Sequence, residues 1–82
     1  MGFFNDSNCY IYKVEIHGMK CSMCESHIND VIRKNFEIKS VKSNHRKNLT
    51  IIKSKEELDV NKIKEVIYKT GYEIINIEKE LK

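Results

Sequence analysis

Hydropathy alternates at every second residue from Tyr10 to Ile16, and Gly18 then ends that rhythm. From Ser22 to Asn35 the apolar positions instead recur every three or four residues. A period of two lines Tyr10, Tyr12, Val14 and Ile16 along one side of a strand. A period near 3.6 gathers Cys24, Ile28, Val31, Ile32 and Asn35 into one helical stripe, with Asn29, Asp30, Arg33 and Lys34 off it. Ser22 is the expected N-cap of this helix, with Glu25 three residues on completing a capping box. The same succession then runs again. Ile38–His45 predicts a weaker strand, Asn44–Asn48 a polar hairpin turn, and Leu49–Lys53 the returning strand. Asp59 caps a second helix carrying Val60, Ile63, Val66, Ile67 and Thr70 in helical period. Gly71 takes the left-handed position after it, and Tyr72–Ile77 is the last strand.

The order β-α-β-β-α-β predicts an α+β fold of ferredoxin-like type, a four-stranded antiparallel sheet with both helices on one face. Residues 1–9 are expected as a loose lead-in, 10–78 as the single domain and 79–82 as a charged tail. In this topology loop 18–22, turn 44–48 and loop 70–72 leave the same end of the sandwich. An 82-residue chain buries only about 60% of its unfolded surface, which leaves little room for an enclosed substrate pocket and argues against an enzyme. No apolar run approaches the roughly 18 residues that span a bilayer. The start of the chain lacks a signal peptide's basic and long apolar regions, and Asp6 stands where a myristoylation motif needs Ser or Thr. A cytoplasmic protein without membrane insertion is expected. The formal charge is +3, and residues 33–55 hold eight basic side chains against Glu37 alone. No aromatics interleave with them, so nucleic acid is not the expected partner.

Three cysteines in a chain without a secretory signal argue against a disulfide framework. Cys21 and Cys24 form a C-x-x-C between the first strand and the first helix, a spacing for metal or redox chemistry. A thioredoxin-like site fits poorly, because the chain has no proline and the wrong element order. Half a zinc ribbon would need a second C-x-x-C, which is absent. Thiolate is the soft donor that selects Cu(I), and two thiolates satisfy that ion in near-linear geometry. Zn(II) prefers four ligands. The helix N-terminus favours the Cys24 thiolate, and Lys20 can offset the negative charge of a bis-thiolate Cu(I) centre. So open a site suits handing metal on rather than storing it.

Gly18-Met19-Lys20-Cys21-Ser22-Met23-Cys24 resembles the GMxCxxC signature of heavy-metal-associated domains, which include the small copper chaperones and the N-terminal domains of copper-transporting P-type ATPases. The likeness extends from about residue 10 to residue 77 through the element order and Gly71-Tyr72. It implies Cu(I) as cargo, with Zn or another soft divalent ion as the alternative. The implied partner is a metal-transporting P-type ATPase or its metal-binding domain. The chain would act as a monomer, with a metal-bridged dimer as the alternative, and as a carrier, with a metal-responsive sensor as the rival. The resemblance makes Met19 a core residue that orders the metal loop. It matches Tyr72 to the tyrosine that faces the metal in bacterial copper chaperones.

Other residues follow from position. His27, three residues after Cys24 and about 60° round the helix, is the candidate third ligand of a Zn- or Cd-binding variant. Arg46, Lys47 and Lys69, with Lys20, make a basic face at the metal end, so an acidic partner surface is expected. Cys9 falls at the far end of the sheet as a bystander. Glu25 departs from the family pattern by putting a negative charge beside the site. Ser43 and His45 depart from it by standing where Val or Leu is usual, which predicts a weaker core and edge strand.

Overall fold

A computed structural model of the chain describes residues 9–81. The elements are β1 (Tyr10–His17), α1 (Ser22–Asn35), β2 (Ser40–Asn44), β3 (Leu49–Ser54), α2 (Val60–Lys69) and β4 (Glu73–Leu81). The sheet order is β2-β3-β1-β4, every neighbouring pair antiparallel. This is the ferredoxin-like sandwich predicted from the alternation of periods. Strand alternation turns Tyr12, Val14 and Ile16 of β1 and Ile52 of β3 inward, where they meet Ile28 and Ile32 of α1 and Ile63 and Ile67 of α2. The buried Tyr12 hydroxyl accepts from the Leu58 amide (2.8 Å) and donates to the Leu58 carbonyl (3.2 Å), which fixes the chain ahead of α2. Asp59 caps α2 as expected, its carboxylate accepting from the Asn61 amide at 2.9 Å. Gly71 follows at φ +102°, a conformation L side chains rarely adopt.

Four expectations need correction. The N-cap of α1 is Cys21 rather than Ser22, with no side-chain cap bond. Glu25 forms no capping box, because its carboxylate is engaged by His45 from another element. β2 begins at Ser40, not Ile38, and Ile38 packs against the core from ahead of the strand. β4 does not stop at Ile77 but runs to Leu81, so residues 79–81, expected as tail, are strand. Central β1 offers partners along its whole length: Glu78 pairs with Lys13, Lys79 with Tyr12, Glu80 with Ile11 and Leu81 with Tyr10. A Lys13–Glu80 ion pair (3.1 Å) and a Lys79–Glu57 contact complete that stretch. Charged residues suit an edge strand, which is why hydropathy alone misses it. The expected lead-in, apart from Cys9, and Lys82 lie outside the described residues.

Ser43 is a different kind of correction. It is buried in β2, yet its hydroxyl donates to Asn29 Oδ1 of α1 (2.7 Å) and lies 2.8 Å from the Thr50 hydroxyl of β3. With its proton given to Asn29, Ser43 accepts from Thr50. A satisfied polar bridge thus replaces the apolar contact that Val would make, and the expected weakening is met by hydrogen bonds.

Candidate metal centre

The topology brings three connections to one end of the sandwich: residues 18–21 after β1, the turn between β2 and β3, and residues 70–72 after α2. Gly18, at φ +111°, turns the chain out of β1. A Cβ at this position would lie 3.3 Å from Cδ1 of Tyr72, so the absence of a side chain lets the two loops approach. Met19 turns inward and is buried in the core, as the resemblance implies. Cys21 keeps an extended backbone (φ −161°, ψ 178°) as N-cap, and its carbonyl accepts from the amides of Cys24 (3.1 Å) and Glu25 (3.3 Å). The Cys21 thiol is exposed, and Cys24, one turn into the helix, is half-buried. Met23 between them is 78% exposed, outside the core.

The electrostatics favour ionisation at Cys24. Its thiol is lowered from 9.0 to about 7, first by a hydrogen bond from the Lys20 backbone and then by one from the Tyr72 side chain, with smaller help from Cys21 against the cost of burial. Tyr72 responds in the opposite sense. Its hydroxyl is pushed up to about 12, chiefly because it donates to Cys24. Lys20 therefore acts on the thiol through its main chain, a contribution that reading its ammonium from the sequence does not reveal.

His27 does not join the cysteines. Among the described residues no three His, Cys, Asp or Glu side chains are gathered closely enough to hold a metal ion. The His27 ring instead meets Tyr72 edge-on, with centroids 6.2 Å apart and planes at 72°. Asp30, three residues on, pairs with Arg33 at 3.3 Å. Two thiols are what the structure brings together. Cys9 lies at the start of β1, buried, with its sulfur 3.7 Å from Lys39 Nζ. The eight residues of β1 put about 26 Å of strand between it and the metal loop.

Glu25 carries the residue pair that sequence reasoning missed. Its Oε2 accepts from the His45 backbone amide (2.7 Å) and lies 2.6 Å from His45 Nδ1. These contacts, with Arg46 nearby, hold the Glu25 carboxyl below its ordinary value. The acid beside the thiols is thus turned toward the hairpin and balanced there. The two residues lie 20 apart, and no local pattern links them. The turn itself is closed by Asn44, whose Oδ1 accepts from the amides of Arg46 (2.9 Å) and Lys47 (3.2 Å). Arg46 and Lys47 are exposed there, while Lys69 at the end of α2 stands 3.8 Å from Glu65.

The sequence profile of the heavy-metal-associated domain matches residues 13–73, most of the chain. The chain belongs to the heavy-metal-associated domain family. Among curated proteins no match is found. Solved structures share the fold. The CopZ metallochaperone superposes with a TM-score of 0.69 at 19% identity, covering 79% of this chain and 98% of its own. The N-terminal domain of a potential copper-translocating P-type ATPase from Bacillus subtilis, in its Cu(I)-loaded state, gives 0.69 at 23% identity, with 90% and 88% covered. The N-terminal domain of ZntA in its Zn(II) form gives 0.68 at 15%, with 83% and 89% covered. Among the described residues of this chain no helix is long and apolar enough to cross a membrane.

Proposed function

We propose that this heavy-metal-associated domain carries Cu(I) on the thiolates of Cys21 and Cys24 in the cytoplasm. It passes the ion to a metal-transporting P-type ATPase or that protein's own metal-binding domain. The observation that carries this reading is the two-thiol site, one cysteine exposed and the other with its thiol lowered to about 7. Two soft donors complete the coordination of Cu(I) and leave Zn(II) two ligands short. Transfer proceeds by ligand exchange. A partner thiolate forms a third copper–sulfur bond, a bond to one of the carrier's cysteines then breaks, and the released thiolate takes up a proton as the second exchange follows. Copper stays Cu(I) throughout, so no oxidant is needed. Lys20 in the metal loop, Arg46 and Lys47 in the β2–β3 turn and Lys69 at the end of α2 favour an acidic docking surface.

A second reading, Zn(II) as cargo, is supported by the likeness to the ZntA domain in its Zn(II) form. Competition for Cu(I) and Zn(II) against calibrated chelators separates the two. Wild type should hold Cu(I) by many orders of magnitude more tightly than Zn(II), and the Cys21→Ser, Cys24→Ser double variant should lose Cu(I) while remaining folded. Tighter Zn(II) than Cu(I) binding would select the second reading, and an apo protein unfolded until metal is added would replace the carrier by a structural site. Mixing the loaded protein with an acceptor domain should move copper. A stable metal-dependent complex without transfer would mark a sensor instead.

A further inference from the structure

Residues 38–55, the β2–β3 hairpin and its flanks, contain six basic side chains and no acidic one. One of them, Lys39, contacts Cys9. The other five form a stripe. Burial of Val41, Ser43, Thr50, Ile52 and Ser54 on the helix side leaves Lys42 and Lys53 on the open face of the sheet. Register places Lys53 opposite Ser40 and Lys42 opposite Ile51, so the two charges sit on adjacent strands. Arg46 and Lys47 continue the stripe at the metal end and Lys55 at the other, a length of about 26 Å along the hairpin. No carboxylate among the described residues forms an ion pair with any of these five.

The opposite edge carries the opposite sign. β4 pairs Glu73, Glu78 and Glu80 with His17, Lys13 and Ile11, placing them on the same open face about 14 Å from β2, three strand spacings across. Among the described residues the exposed large apolar side chains, Met23, Tyr68 and Ile75, all lie off the hairpin, and Leu49 and Ile51 on it are half-buried. A protein interface is anchored by buried aromatic or apolar side chains, and single-stranded nucleic acid by stacking aromatics. Along Lys42, Lys53 and Lys55 the stripe offers neither anchor, and Arg46 and Lys47 at its metal end border the protein-docking face. The stripe offers a row of flexible point charges, which suits a diffuse array of phosphate groups.

We propose that the β2–β3 hairpin is a docking edge for an anionic bilayer surface. The charge gradient tilts the domain so that the hairpin faces the headgroups and β4 stands away. The metal loop, at the end of the stripe, then lies beside the surface and stays open to a membrane-embedded partner. The inference does not depend on which metal the cysteines carry.

The test uses the intact apo protein and cosedimentation with vesicles, either phosphatidylcholine alone or phosphatidylcholine and phosphatidylglycerol in equal parts. Binding to the anionic vesicles alone is expected, and it should fall steeply as salt rises from about 50 to about 300 mM. The Lys42→Gln, Lys53→Gln double variant removes two headgroup attractions and should bind about 30-fold more weakly. Neither lysine belongs to the metal loop or the proposed protein-docking face, so metal affinity should be unchanged, and circular dichroism verifies the fold. Equal binding to both vesicles, no binding to the anionic ones at low salt, or wild-type binding by the folded double variant would each overturn the proposal. Tighter binding to duplex or single-stranded DNA than to anionic vesicles would replace the bilayer by nucleic acid.

Discussion

Replacing Tyr72 by Phe deletes one hydroxyl and keeps the ring that packs beside Gly18, which isolates the hydrogen bond to Cys24. The Cys24 thiol lies at about 7 against an ordinary 9.0, and the Lys20 backbone and the Tyr72 hydroxyl are the two largest causes. The hydroxyl is itself pushed up to about 12 by the same bond, as reciprocity requires. Removing it should return part of the gap and leave the Lys20 contribution in place. If the two bonds contribute comparably, the variant titrates near ~8. At pH ~7 the thiolate population then drops from about a half to about a tenth. The pH profile of iodoacetamide alkylation of apo protein in a Cys9→Ser, Cys21→Ser background reads Cys24 alone. An unmoved midpoint would show that the hydroxyl does not bond the thiolate, and a full return to 9.0 would show that the loop amides contribute nothing. Stability carries the same signature. Because the folded value is depressed, the thiolate stabilises the native apo state fully above the unfolded value, and that contribution is lost as pH falls through about 7. Tyr72→Phe should narrow this window from its acid side.

Ser43→Val should destabilise the fold by about 1–3 kcal/mol, because it strands the buried Thr50 hydroxyl and takes a donor from half-buried Asn29 Oδ1. Thermal or denaturant unfolding measures this, and a stabilised variant would show that apolar burial outweighs the polar bridge. Glu25→Gln should flatten the acid side of the stability profile. The Glu25 carboxyl is held below 4.5, first by the His45 amide and then by the His45 ring. Its contribution is present above that unfolded value and lost as pH falls through the lower folded one. Melting temperatures followed from about pH 6 to about pH 3 should drop less in the variant, and parallel curves would refute the pairing.

Much of this molecule is written in local pattern. The period-two run of β1, the helical stripes of α1 and α2, Asp59 before α2 and Gly71 after it each act within one turn or one strand of their own sequence. The sequence therefore determines the element order, and the order determines which loops share an end. The cysteine pair is local too, since three residues at the start of a helix bring both thiols to one turn. Local rules fail where a residue's partner belongs to another element. Ser22 and Glu25 spell a capping box, yet the Glu25 carboxylate bonds His45 across the sandwich, and Cys21 takes the cap. Residues 79–81 look like a charged tail, yet unpaired backbone on β1 makes them a strand. His27 has the spacing of a ligand, yet its ring lies against Tyr72. The Tyr72 ring packs beside Gly18, where a side chain would press on it at 3.3 Å, a contact between loops far apart in sequence. Tertiary structure decided these matters because a hydrogen bond between distant residues depends on how helices and strands pack, and the packing is set by the whole buried core rather than by the neighbours of any one residue.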